Sequence, residues 1–126
     1  MQSKSQLHDE IVLDSQYHYV RYRQDSFLEV QVNGEWGLAC YAFQNSLPQA
    51  GQVVCREQRK LFYSGHRSGA ATHHTGPRFY GRMKCKGDEL SSENCTMGFV
   101  KVSSCGSLKE TIIDCSASEL LLIFAY

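Results

Sequence analysis

The first clear pattern in the chain is an alternation of apolar and polar residues on both sides of an Asn33-Gly34 pair. The alternation runs over residues 28–32 before the pair and over residues 36–40 after it. A period of two residues is typical of a half-buried strand. Asn-Gly suits a tight turn because both of its positions tolerate a positive φ. The pattern therefore predicts a β-hairpin.

A helical pattern follows the hairpin. Leu47, Ala50, Val53 and Val54 recur at the spacing of one helix face. Pro48 falls in the first turn, where its missing N–H costs no hydrogen bond. We therefore predict one short helix in this part of the chain.

The remaining segments give weaker signals. Alternation predicts strands over residues 17–23 and 79–85, and β-branched residues predict a closing strand over residues 111–115. Glycine and small polar residues predict surface loops over residues 64–69 and 72–77.

Length and charge narrow the classes of function. A chain of 126 residues suits one domain with a modest core. Its 13 basic and 13 acidic residues balance, so we expect no bulk affinity for nucleic acid. We divide the chain into a flexible tail (1–16), a folded domain (17–118) and an apolar segment (119–126). That segment is a final strand or the start of an adjoining segment, and it is too short to insert into a membrane.

The six cysteines indicate a disulfide framework in a secreted or extracellular protein. A zinc site is the competing interpretation, but zinc ligands usually include closely spaced cysteine pairs. The gaps between successive cysteines are 15, 30, 10, 10 and 10 residues, so no such pair exists. Six cysteines allow many pairings, and the residues alone do not choose among them.

Several short motifs together resemble the scavenger receptor cysteine-rich (SRCR) domain, in its six-cysteine group A form. The resemblance covers roughly residues 20 to 116. It implies an α+β fold: a small disulfide-rich domain with a curved, mostly antiparallel β-sheet cradling one α-helix, and with long loops. The motifs are Gly34-x-Trp36-Gly37-x-x-Cys40, Val53-Val54-Cys55-Arg56, Gly76-Pro77 and Cys85-x-Gly87-x-Glu89, followed by Cys95, Cys105 and Cys115. The disulfide pairs that the resemblance implies are Cys40–Cys105, Cys55–Cys115 and Cys85–Cys95.

No motif indicates catalysis. The chain lacks a nucleophile elbow, a zinc-protease helix motif and a phosphate-binding loop. His66, His73 and His74 lie near serines, but no third group is suggested that would orient them. We therefore expect no enzyme activity and no cofactor.

A metal site is also not expected. Many SRCR members carry an acidic pair just after the first of these cysteines and a further acid before the last, and together these can hold a cation. The pair is replaced here by Tyr41 and Ala42, and Glu110 approximately matches the later acid. A single carboxylate cannot supply the several oxygen ligands that calcium requires.

The stretch from Arg56 to Lys86 contains eight basic residues and one acid, Glu57. If these cations share one face, they predict a surface that binds a polyanion or an acidic protein, because arginine makes bidentate contacts to such groups. The alternative is dispersed, solubilising charge paired with acids elsewhere. Alternation along residues 82–86 predicts that Arg82, Lys84 and Lys86 share one strand face. The ligand-binding candidates are Arg56, Arg59, Lys60, Arg67, Arg78, Arg82, Lys84 and Lys86.

The resemblance implies a non-catalytic extracellular module, secreted or part of a membrane protein's ectodomain, that recognises protein or polyanionic ligands. The alternative is a structural or regulatory accessory domain packed against a neighbouring domain, which the apolar residues 120–126 mildly favour. Asn94-Cys95-Thr96 matches the N-glycosylation motif, so Asn94 is a predicted glycosylation site.

Overall fold

A computed structural model describes residues 18–23, 25–43, 46–57 and 62–116. The predicted tail (1–16) and the apolar C-terminal segment (119–126) lie outside the described residues. No described helix is long and apolar enough to cross a membrane.

The described residues form seven strands, one α-helix and two short 3-10 helices. These are β1 (His18–Tyr22), β2 (Leu28–Val32), β3 (Glu35–Ala39), α1 (Leu47–Glu57), β4 (Phe62–Gly69), β5 (Arg78–Lys84), β6 (Thr96–Val102) and β7 (Glu110–Ser116), with the 3-10 helices at Ser92–Asn94 and Gly106–Leu108.

The predicted hairpin is β2 and β3, which pair antiparallel across the Asn33-Gly34 turn. Both turn residues have positive φ, 51° at Asn33 and 90° at Gly34, as the Asn-Gly signal requires. The same hairpin forms the centre of a five-stranded sheet with the order β1-β2-β3-β5-β6. A local turn signal thus specifies two neighbouring strands of the main sheet.

The main sheet is antiparallel except where β3 meets β5, and these two strands run parallel. Gly37 lies at this junction, where an added Cβ would come within 2.5 Å of the Pro77 carbonyl oxygen. β4 and β7 form a second, two-stranded antiparallel sheet. The predicted α+β fold with a curved, mostly antiparallel sheet and one helix is confirmed.

The core lies between the inner face of the main sheet and α1. The helix contributes Val53 and Val54, which are fully buried against sheet residues such as Val30 and Met83. Each such side chain contributes about 1.5–3 kcal/mol by leaving water. The apolar spacing that predicts the helix is therefore also the face that it buries.

Three disulfides join distant parts of this fold, and they are the pairs that the resemblance implies. One links the residue after β3 to the residue before the second 3-10 helix, one links α1 to β7, and one closes the connection between β5 and β6. They are Cys40–Cys105, Cys55–Cys115 and Cys85–Cys95, and they leave no free cysteine.

Two elements differ from the sequence prediction. The loop predicted over residues 64–69 is instead part of β4, because these residues pair with β7, about fifty residues away, in a register interrupted between Tyr63 and Gly65. No local pattern predicts strand β6, which pairs along its whole length with β5. Both strands are formed by tertiary pairing, which outweighs weak local propensity.

Candidate functional site

Strand β5 presents a row of side chains to solvent. Burial alternates along it, so that Phe79, Gly81 and Met83 face the core while Tyr80, Arg82 and Lys84 face outward. We call Tyr80, Arg82 and Lys84 the β5 strip. The period of two in β5 is what places both cations on one face.

No acid lies opposite the β5 strip on the neighbouring strand. The β6 residues in register with Tyr80, Arg82 and Lys84 are Val100, Gly98 and Thr96. Among the described residues, neither Arg82 nor Lys84 forms an ion pair or a side-chain hydrogen bond, so both charged groups are available to a ligand.

Strands β5 and β6 approach closely beneath Arg82. A Cβ atom added to Gly81 would lie 1.9 Å from the Gly98 carbonyl oxygen. Gly98, which is in register with Arg82, also has no side chain and is buried. The two glycines therefore allow the strands to approach this closely.

Lys86 is exposed just beyond the end of β5. Its backbone N–H donates to the Glu89 carboxylate at 2.8 Å, and the Gly87 N–H donates to the same group at 2.9 Å. Partial burial raises the pKa of the Glu89 carboxyl, but these two backbone hydrogen bonds outweigh burial and hold that pKa below its usual value. The Glu89 carboxylate thus lies close to Lys86. The electrostatic potential around Lys86 is therefore less positive than the potential around Arg82 and Lys84.

The guanidinium group of Arg56 binds backbone carbonyl oxygens within the domain. Its Nη2 atom donates to the Gly87 carbonyl oxygen at 2.9 Å and also to the Glu89 carbonyl oxygen. Arg56 lies in the last turn of α1, so these contacts fasten the turn after β5 to the helix. The side chain is only partly exposed.

Arg78 is largely enclosed by the protein. Its Nε atom donates to Oε2 of Glu110 at 2.6 Å, and the two side chains are only 11% and 10% exposed. The remaining guanidinium contacts go to carbonyl oxygens of the loop before β5, those of Ala71, His74 and Gly76. Arg78 therefore balances the buried Glu110 charge and holds this loop.

The other candidates lie elsewhere. Arg67 is exposed on β4, in the second sheet, and its Nε atom lies 3.5 Å from the Asp114 carboxylate. Arg59 and Lys60 fall outside the described residues. Of the eight candidates, the structure brings together Arg82, Lys84 and Lys86 along β5 and its end. The alternation in the sequence predicts these three on one strand face; the structure places Arg82 and Lys84 on the outer face of β5 and Lys86 beyond its end.

Two of the three histidines singled out in the sequence, His66 and His74, have local partners. The Nε2 atom of His74 lies 3.0 Å from the Asp25 carboxylate, and Nδ1 of His66 shares a hydrogen bond with the Tyr63 hydroxyl. Burial raises the pKa of the Asp25 carboxyl, but hydrogen bonds from Arg23 and the Phe27 backbone outweigh it and hold that pKa below its usual value. The Asp25 contacts tie the β1–β2 connection to the 71–77 loop.

One group of potential metal ligands occurs among the described residues: Cys85, Glu89 and Cys95. The two sulfur atoms are bonded to each other, and the thiolate is the form that binds metals. This group therefore offers a cation only one carboxylate. Glu110, the acid that matches a family cation ligand, already binds Arg78 and the Ala71 N–H.

Asn94 is exposed at the end of the first 3-10 helix. Its neighbour Cys95 is buried in a disulfide, and the Thr96 hydroxyl donates to the Lys84 carbonyl oxygen at 3.4 Å. Glycosylation of Asn94 stays a prediction.

Comparison with known proteins gives one finding. A family model described as the scavenger receptor cysteine-rich domain matches residues 21–116, which include all six cysteines and the whole β5 strip. No curated protein matches the chain.

Proposed function

Because the chain belongs to the scavenger receptor cysteine-rich family, we propose that it is a non-catalytic extracellular binding module. Its ligands are proteins or polyanions, and the binding surface is the β5 strip together with Lys86. Three disulfides in a chain of this size support an oxidising, extracellular setting.

The observation that carries this proposal is that Arg82 and Lys84 have no ion-pair partner among the described residues. Arg67, by contrast, lies 3.5 Å from the Asp114 carboxylate. Arg82 and Lys84 are exposed, share one face and have no acid in register on β6. Charge-assisted hydrogen bonds to sulfate or carboxylate are the strong class that such groups can form.

Two observations support the absence of catalysis. All six cysteines are consumed by disulfides, which removes the strongest nucleophiles from the chain. His66 and His74 bind Tyr63 and Asp25, and within the described part of the chain neither pairs with a serine or cysteine nucleophile.

Retention on a heparin column at two salt concentrations tests the proposal. The oxidised domain is expected to bind at low salt and to elute later than the variant Arg82→Glu/Lys84→Glu, with the difference shrinking as salt screens the charges. The matched control is Arg67→Glu/Lys101→Glu, which makes the same change in net charge at two exposed residues that do not share the outer face of β5: Arg67 is on β4, and Lys101 is in register with the inward-facing Phe79. Equal elution of the two variants would contradict the assignment to β5, because net charge alone would then explain retention.

A further inference from the structure

The spacing of the two outward-facing cations matches the geometry of an extended peptide. Arg82 and Lys84 are alternate residues of one strand, so their Cα atoms lie about 6.8 Å apart and their side chains point the same way. An extended peptide presents alternate side chains at that same spacing. Two acidic residues separated by one residue would therefore face both cations at once.

The outer face of β6 offers no competing charge to the β5 strip. Gly98, which is in register with Arg82, is buried and has no side chain, and Thr96 and Val100 lie on either side of it. Neighbouring strands lie about 4.8 Å apart, so a segment that lies over β5 also passes close to these β6 residues. Thr96 and Val100 are β-branched, and neither is acidic.

Tyr80 adds an apolar contact in line with the cations. Its side chain is 38% exposed, on the same face as Arg82 and Lys84. A half-exposed tyrosine offers a flat apolar surface and a hydroxyl, which suits contact with another side chain. The strip therefore presents, along the strand, one aromatic position followed by two cationic positions.

Resting on the function proposed above, we infer that the β5 strip binds an acidic peptide segment in extended conformation. Carboxylates at positions i and i+2 of the peptide contact Arg82 and Lys84, and an apolar residue at the next alternate position contacts Tyr80. The partner is a protein with an exposed acidic strand or tail of this alternating pattern. A sulfated glycan matches the charge of the strip but offers no side chain for Tyr80.

Two labelled peptides of equal length and charge test the inference by fluorescence anisotropy with the oxidised full chain. One repeats Glu-Thr, so its glutamates are two residues apart. The other repeats Glu-Glu-Thr-Thr, in which no two glutamates have that spacing. The first peptide is expected to bind at least about tenfold more tightly, since one charge-assisted hydrogen bond contributes that much.

Variants locate the binding. Arg82→Gln/Lys84→Gln, which removes the charges without reversing them, is expected to weaken binding of the Glu-Thr peptide at least about tenfold. Arg67→Gln/Lys101→Gln is expected to leave it unchanged. Circular dichroism and the melting temperature verify that each variant is folded, and the exposure of all four side chains makes folding the expected outcome.

Three results overturn the inference. If the domain is retained on heparin but binds the two peptides equally, the strip does not distinguish peptide spacing, and the function proposed above stands without this refinement. If the domain is retained on heparin and binds neither peptide, the ligand is a glycan. If the domain binds neither heparin nor a peptide, the proposed function is wrong as well.

Discussion

The Nε atom of Arg78 lies 2.6 Å from Oε2 of Glu110, and the protein buries both side chains almost completely. This contact joins the first residue of β5 to the first residue of β7 and so connects the two sheets. The Glu110 carboxylate also accepts a hydrogen bond from the Ala71 N–H at 3.2 Å. One ion pair thereby holds two sheets and a loop in place.

Breaking the Arg78–Glu110 ion pair should lower the free energy of unfolding substantially. Replacing Arg78 by Gln leaves the Glu110 carboxylate buried without its partner, and removing one member of a buried pair costs about 3–5 kcal/mol. Urea denaturation of the oxidised domain measures the change in the free energy of unfolding. Arg67→Gln is the control, because its exposed pair with Asp114 contributes at most about 1 kcal/mol. Equal losses in the two variants would contradict the importance of the Arg78–Glu110 contact.

Calcium should not stabilise the domain. Tyr41 and Ala42 stand where many family members carry an acidic pair, and both oxygens of Glu110 already accept hydrogen bonds. A ligand that binds only the folded state raises the melting temperature. We expect the same melting temperature in millimolar calcium and in chelator, measured by scanning calorimetry. A clear rise in calcium would show that carboxylates converge somewhere other than at Glu110.

Gly81 should not tolerate a side chain. The Cβ atom of an alanine would lie 1.9 Å from the Gly98 carbonyl oxygen, so β5 and β6 would have to separate. Overpacking of this kind costs about 1–3 kcal/mol, and backbone has less room to yield than side chains. The matched control is Gly76→Ala, because a Cβ at Gly76 meets nothing within 4 Å. Thermal unfolding compares the two variants, and a Gly81→Ala protein as stable as the control would contradict this close approach of the two strands.

Acid should destabilise the domain through two carboxyl groups. The pKa of Asp25 and that of Glu89 both lie below their usual values in the folded state. Between the folded and unfolded pKa values the unfolded chain binds more protons, so stability rises with pH in that window. The contribution is fully present above the usual pKa of about 4 and is lost as pH falls through the lower folded value.

Urea denaturation across a pH series measures this dependence, and Glu89→Gln should flatten it. The substitution removes the titrating group while keeping one of the two oxygens that accept from the Lys86 and Gly87 N–H groups. Glu93→Gln serves as the control, because this exposed residue caps no backbone N–H in the described turn after β5. An unchanged pH profile in Glu89→Gln would show that the carboxylate contributes nothing to the acid response.

The sequence by itself determined the elements whose signals are local. Asn33-Gly34 specified the β2–β3 turn because both residues accept positive φ, and the apolar spacing around Val53 specified the face that α1 buries. The disulfide pairing came from the family resemblance, because a set of six cysteines does not choose its own partners. Alternation along β5 also predicted that Arg82 and Lys84 share one face, since a strand repeats every two residues.

Only the tertiary structure decided which basic residues face a ligand. Arg78 and Arg82 are both basic residues of one strand, yet Arg78 is enclosed because β7 brings Glu110 to it from 32 residues away in the chain. Strand β4 likewise exists because β7 pairs with a segment that has the composition of a loop, and β6 because it pairs with β5. Such contacts depend on the free energy of the whole fold, so no local pattern of residues reveals them.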